Sequence, residues 1–157
     1  MDVDNIVGYD TVLELRRVLH EVSDKIIPVW HKNRGIKDFK KMCEDYSYIS
    51  IASAKKDDIK DSQLKYFVDY AHKHNTKIHG LGCTRKKVLE TVPFDSVDSS
   101  TWISPAKYAR FDHKKKIKSD WLSNNSTTVL AYSYITWMKK QEYYYKKWDN
   151  YSNKRKG

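Results

Sequence analysis

The sequence predicts an α/β domain built on about four parallel strands, followed by a basic helical C-terminal extension. Three observations predict it. Four short apolar runs alternate with amphipathic helical segments, which implies parallel pairing and right-handed crossovers. The repeats take roughly 20–30 residues each, the size of one barrel βα unit, while a closed eight-stranded barrel needs about 250 residues. The reading is therefore a partial (β/α) barrel. Third, the charge changes along the chain. Residues 1–100 hold 17 Lys/Arg against 16 Asp/Glu, and residues 101–157 hold 13 against 4. Nearly all of the net +10 sits in the last third. The division predicted is a barrel-type domain over 1–104 and a basic, aromatic-rich helical extension over 105–157.

The elements follow in order. "TVLELRRVLHEVSD" sets Val12, Leu15, Leu19 and Val22 at helical spacing as an inward stripe, with Thr11 as a cap. "KIIPVWH" is a short apolar run holding a proline and reads as a strand. "GIKDFKKMCEDY" places Ile36, Phe39, Met42 and Cys43 on one helical face. "YISIAS" is a strand of the buried type. "KDSQLKYFVDYAHKHN" turns Leu64, Phe67, Val68 and Ala71 inward, with Ser62 near its start and Asn75 at its end. "KIHGLG" is a strand, "RKKVLETV" a short helix stopped by Pro93, and "FDSVDSSTWI" the last strand.

Beyond Trp102, "SPAKYARFDHKKKIKSD" is basic and reads as irregular. A long helix starts near Ser126–Thr127, with Val129, Leu130, Ser133, Trp137 and Met138 as its inner face. Tyr143, Tyr144, Tyr145, Trp148 and Tyr151 interleave with lysines there. Aromatics mixed with lysines stack on bases while neutralising phosphates, and the same pattern also serves to dock a helix with its lysines in water. The candidate nucleic-acid contacts are Lys114, Lys115, Lys116, Lys139, Lys140, Lys146 and Lys147. An uneven positive charge of this size points to a polyanionic partner, tRNA or DNA.

Other classes are bounded by absence. No run of 18 apolar residues exists to span a membrane. "MDVDNIVGYD" has no leader pattern, and the two cysteines, Cys43 and Cys83, make neither a disulfide framework nor a zinc site. A reducing cytoplasm is the expected compartment. No metal and no cofactor is expected, since "GLG" alone is no phosphate loop.

The run "IIPVWH…GIKDFKKMCEDYSYISIAS" followed by "KIHGLGCTRKKVLETVPFDSVDSSTW" resembles the C-terminal half of the tRNA-guanine transglycosylase-like barrel, and most of all its shortened, phage-type members. The likeness spans Gly8 to Trp102, about three fifths of the chain. It implies an eight-stranded βα barrel family whose members exchange guanine for a 7-deazaguanine through a covalent nucleic-acid intermediate. It also implies that Asp98 matches the nucleophilic aspartate at the end of the last barrel strand. Gly80 and Gly82 match glycines beside the bound base. Ile51 to Ser53 fall where the family usually has a Gly-Gly pair. The family's other catalytic aspartate and its Cys-rich zinc site have no counterpart in this sequence. The general base is then expected from a separate chain carrying the N-terminal half barrel. A homo-oligomer would only duplicate what this chain already has.

The chemistry explains why an aspartate belongs there. Cleaving an N-glycosidic bond builds positive charge at C1′, which a carboxylate stabilises and then captures. In a strand, Phe94, Ser96 and Asp98 share one face and Asp95 and Val97 the other, so the two aspartates do not act as a pair. His31, ending the first strand, and His79, inside the third, are the candidate hydrogen-bonding partners of a base or sugar.

Overall fold

A computed structural model describes residues 4–53, 59–108, 110–112, 115–116 and 125–154. The chain begins with α1 (Asp4–Val7) and α2 (Tyr9–Val22), then β1 (Val29–Trp30), a 3-10 turn and α3 (Gly35–Asp45). β2 (Tyr48–Ala52), α4 (Asp61–Lys73), β3 (Lys77–Leu81), α5 (Lys86–Leu89) and β4 (Ser96–Val97) follow. After a 3-10 turn at Ser100–Ile103 come α6 (Ser104–Tyr108), β5 (Arg110–Asp112), β6 (Lys115–Lys116) and α7 (Ser126–Lys154).

Four strands form one parallel sheet in the order β1-β2-β3-β4. Each strand is added beside the last, in one direction, so right-handed crossovers place the connecting helices on one side. Burial agrees. Trp30, Ile49, Ile51 and Ile78 pack with Phe39, Met42 and Cys43 of α3 and Leu64, Phe67, Val68 and Ala71 of α4. Rings of Trp30, Phe39 and Phe67 lie 4.9–5.3 Å apart, edge-on or tilted, the favoured geometry for aromatic pairs. The strand pleat sends alternate residues to the opposite face. There Ser50, His79 and Ser96 stand in register as a polar row. Thr76 ties α3 to β3, its hydroxyl donating to the carbonyls of Cys43 at 2.7 Å and Tyr46 at 2.9 Å.

Several elements differ from expectation. The α2 stripe does not face inward: Leu15, Leu19 and Val22 are 49%, 50% and 82% exposed. The buried side carries Arg16, whose guanidinium lies 5.8 Å from the Tyr46 ring, and His20, stacked on Tyr46 at 5.6 Å. Tyr9 fixes this orientation by donating to Asp38 of α3 at 2.5 Å. As α2 precedes the first strand and joins no strand pair, the crossover rule does not hold its apolar stripe to the sheet. Thr11 lies inside the first turn, and Gly8, at φ 82°, occupies the cap position. Ile36 is exposed. α4 begins at Asp61, with the Gln63 side chain accepting from the Lys60 N–H at 3.3 Å. Asn75, at φ 58°, ends that helix in the left-handed region that asparagine tolerates. The last strand is shorter than expected, because the Ser99 hydroxyl accepts from the Thr101 N–H and starts a 3-10 turn. The segment read as irregular holds α6 and the antiparallel β5–β6 pair. Met138 on α7 is exposed, while Val129 and Ser133 are buried.

Candidate functional site

Ligands of parallel sheets collect at the carboxyl ends of the strands. Asp98 stands there, one residue past β4, with a side chain 56% exposed. Its Oδ1 accepts the Gly82 N–H at 2.7 Å and lies 3.1 Å from His79 Nε2. Oδ2 has no hydrogen-bond partner among the described residues. Gly82 follows β3 with φ 65°, a left-handed conformation that glycine adopts without a Cβ penalty. That turn delivers its N–H to the carboxylate.

His79 is itself held. Its Nδ1 lies 2.5 Å from Ser96 Oγ, and Ser96 Oγ lies 2.5 Å from the Tyr48 hydroxyl. Tyr48 on β2 thus reaches across β3 to β4. The direction of this chain follows from donor and acceptor capacity. An ionised carboxylate only accepts, so His79 Nε2–H donates to Asp98. In the neutral ring Nδ1 then accepts from Ser96, and Ser96 accepts from Tyr48. Ser96, His79 and Asp98 share the residue types of a hydrolase triad, but their arrangement differs from one. The serine is already engaged by Tyr48, and the exposed end of the chain is the carboxylate, beside a His79 side chain that is 19% exposed.

Asp95 faces the other way from Asp98, as expected. Phe94, expected on the face of Ser96 and Asp98, instead packs into the core against Gly80, because the strand begins only at Ser96. The Asp95 Oδ2 accepts from the Ile78 N–H at 2.7 Å and pairs with His72 of α4 at 2.9 Å. It is a clamp between helix and sheet. Gly80 also lies on the helix side. A Cβ there would come within 3.1 Å of the Cys83 Cβ and 3.2 Å of the Phe94 ring, so its lack of a side chain serves close packing. His31 follows β1 at the opposite edge of the sheet, about 14 Å from β4 at the usual strand spacing. Sequence reasoning brought Asp98, His79 and Gly82 together, and the structure does too; it does not bring His31 to them.

Two groups went unread in the sequence. Arg85 joins the strand ends, donating to the Ser53 carbonyl at 2.7 Å and to Asp61 at 2.9 Å. Glu90 anchors α7: Tyr144 donates to it at 3.0 Å, Lys147 pairs with it, and Trp148 donates to the neighbouring Leu89 carbonyl at 3.1 Å. Lys147 holds the Glu90 carboxyl below its ordinary range, with burial opposing. Burial, and then Glu90, push the Tyr144 hydroxyl up to about 12. Of the predicted nucleic-acid lysines, Lys147 is committed to Glu90 and Lys146 pairs with Glu142 at 2.6 Å. Lys139 and Lys140 have no carboxylate partner among the described residues. Lys115 and Lys116 lie in β6, and Lys114 is outside the described residues.

Between the Thr84–Ser99 segment and α7 runs an open cleft of about 1120 Å³, with Asp98, Trp102, Tyr134, Trp137 and Lys140 on its walls. No family model, curated protein or solved structure matches this chain.

The described residues hold no cluster of three His, Cys, Asp or Glu able to bind a metal, and no described helix is long and apolar enough to cross a membrane. Both thiols are buried. Burial pushes Cys43 up to about 12 and raises Cys83 as well. What the site offers at the strand ends is the exposed Asp98 carboxylate, fixed through one oxygen, on a cleft whose walls also carry aromatic and cationic side chains.

Proposed function

We propose that this domain is a transglycosylase-type site, part of a (β/α) barrel, that exchanges a guanine base in tRNA or DNA. The observation that carries the reading is Asp98: exposed at the carboxyl end of β4, held through Oδ1, with Oδ2 unpartnered among the described residues. Sequential parallel strands with helices to one side support the barrel reading, since consecutive βα units of a barrel are arranged so. In this reading Oδ2 attacks C1′, and the bond from C1′ to the base nitrogen breaks with its electron pair leaving on the base. An incoming base then attacks C1′ through nitrogen and releases the Asp98 carboxylate. The leaving base must gain a proton and the incoming one lose it. That acid–base group belongs to a second chain, which would complete the site beside Asp98, the exposed end of the His79–Ser96 chain.

The test is incorporation of labelled guanine into tRNA and into DNA by the chain supplemented with cell extract, which supplies the second chain. The expected result is incorporation that Asp98→Asn abolishes; incorporation surviving that substitution overturns the assignment. A second reading, a nucleic-acid-binding protein without catalysis, is favoured by the +9 balance of residues 101–157 and by Lys139 and Lys140, which have no carboxylate partner among the described residues. Salt-sensitive binding with no exchange, unchanged by Asp98→Ala, would select it.

A further inference from the structure

The long helix α7 divides by function. Its C-terminal half is a bolt, with Tyr144, Lys147 and Trp148 all committed to the Leu89–Glu90 corner. Its middle turns are tied down by Ser133, which donates to the Trp102 carbonyl at 2.6 Å, and they also carry exposed aromatic and basic side chains. Tyr134 is 53% exposed and meets Trp102 edge-on at 5.9 Å. Lys140 Nζ sits 4.6 Å from the centre of the Trp137 ring. Trp102, Tyr134 and Trp137 line the cleft that also holds Asp98.

The charges of the two walls are unequal. Of the carboxylates on the sheet side, Asp95 is paired with His72 and Glu90 with Lys147, which leaves Asp98. Lys139 and Lys140 stand on the helix side with Asp149, and Lys86 stands on the sheet side. A phosphate backbone is drawn to the helix wall and repelled from Asp98, so the bases must point toward the carboxylate. Aromatic side chains can stack only on bases whose faces are free, and in a duplex those faces are covered by neighbouring base pairs.

We propose that this cleft is a track for a single unpaired nucleic-acid strand, whose bases stack on Trp102, Tyr134 and Trp137 and whose phosphates meet Lys139 and Lys140. The track rests on nucleic acid being the substrate, as proposed above, and it adds the strand's pairing state and its path. It requires the target to be a loop, an end or a melted segment rather than intact duplex.

The experiment is fluorescence anisotropy with a labelled 12-nucleotide strand of mixed sequence, as DNA and as RNA, each compared with its own duplex. Single strand is expected to bind at least about tenfold tighter than duplex. Trp137→Ala is expected to weaken it about tenfold, the scale of one lost base–aromatic stack, with Trp137→Phe restoring most of it. Tyr134→Ala, at a more exposed position, tests the same wall at the loss of one edge contact with Trp102. Lys139→Ala with Lys140→Ala should lower the salt slope of log K by about 1.4, two single-strand phosphates' worth. Asp98→Asn lifts a repulsion, so it should abolish exchange without weakening binding, and the track and the catalytic reading fail separately. Duplex binding as tight as single strand, or full affinity in both Trp137→Ala and Tyr134→Ala, overturns the track.

Discussion

Asp95 and Asp98 lie three residues apart and are bound alike on opposite faces of the sheet. Each accepts one histidine nitrogen and one backbone N–H: His72 and Ile78 for Asp95, His79 and Gly82 for Asp98. The likeness ends at exposure, with the Asp95 side chain at 29% and that of Asp98 at 56%. One carboxylate joins a helix to the sheet, and the other presents an oxygen to the cleft.

That contrast separates stability from function. Asp95→Ala strands the Ile78 N–H and releases His72 of α4, a loss of about 1–3 kcal/mol for a poorly replaced, charge-assisted hydrogen bond. Asp98→Ala removes a mostly solvated group and should stay within about 0.5–1 kcal/mol of the parent. Urea unfolding followed by far-UV circular dichroism measures both. A larger loss for Asp98→Ala would make it the structural aspartate.

The chain from Tyr48 through Ser96 to His79 fixes which nitrogen of His79 carries the proton. With Nε2–H on Asp98, the neutral ring is the Nε2 tautomer, and nitrogen-15 spectra of the imidazole should show it. Ser96→Ala removes the Nδ1 donor and should let the other tautomer become populated, while helical content stays unchanged. An Nδ1-protonated ring in the parent protein would reverse the assigned direction of the whole chain.

How much of this was legible in the sequence depended on periodicity. Phe39, Met42 and Cys43, and Leu64, Phe67, Val68 and Ala71, repeat at helical spacing and are buried as expected. Asp98 and Asp95 were separated by strand parity alone, which holds without knowing any partner. α2 misled because its apolar stripe is regular too, and Tyr46 and Asp38, distant in sequence, decided which side turned in. Tyr48 could not be linked to Ser96, because its reach over β3 depends on strand order and register. The Glu90 anchor joins residues 54 and 57 positions apart, and no local pattern announces it.

The two glycines beside the site answer to different forces. Gly80→Ala places a methyl group against Cys83 and Phe94 and should cost about 1–3 kcal/mol by overpacking. Phe94→Leu in the same chain should recover part of that loss by opening room. Gly82→Ala meets a backbone penalty of roughly 1–2 kcal/mol at φ 65°. It should also shift the turn that carries the N–H on Asp98, which Phe94→Leu cannot repair. Urea unfolding of the two double variants distinguishes them: recovery in the Gly82 pair as large as in the Gly80 pair would show that both losses arise from crowding.

The anchor of α7 should loosen at both ends of the pH scale. Glu90 has its folded pKa lowered, first by Lys147 and then by Tyr144. Its contribution is therefore present above the unfolded value of 4.5 and lost as pH falls through the folded one. Tyr144 is shifted the other way, first by burial and then by Glu90. Its contribution is complete below the unfolded value of 10.0 and lost as pH rises through about 12. Between these limits Trp148 stays bonded to the Leu89 carbonyl. Fluorine spectra of protein carrying 5-fluorotryptophan report this directly, with the Trp148 line assigned by Trp148→Phe. The line should move below pH 4.5 and again toward pH 12. Glu90→Gln, which cannot ionise, should remove the acid step and leave a weaker anchor at neutral pH. An acid step that persists in Glu90→Gln would assign it to another carboxylate and release α7 from Glu90.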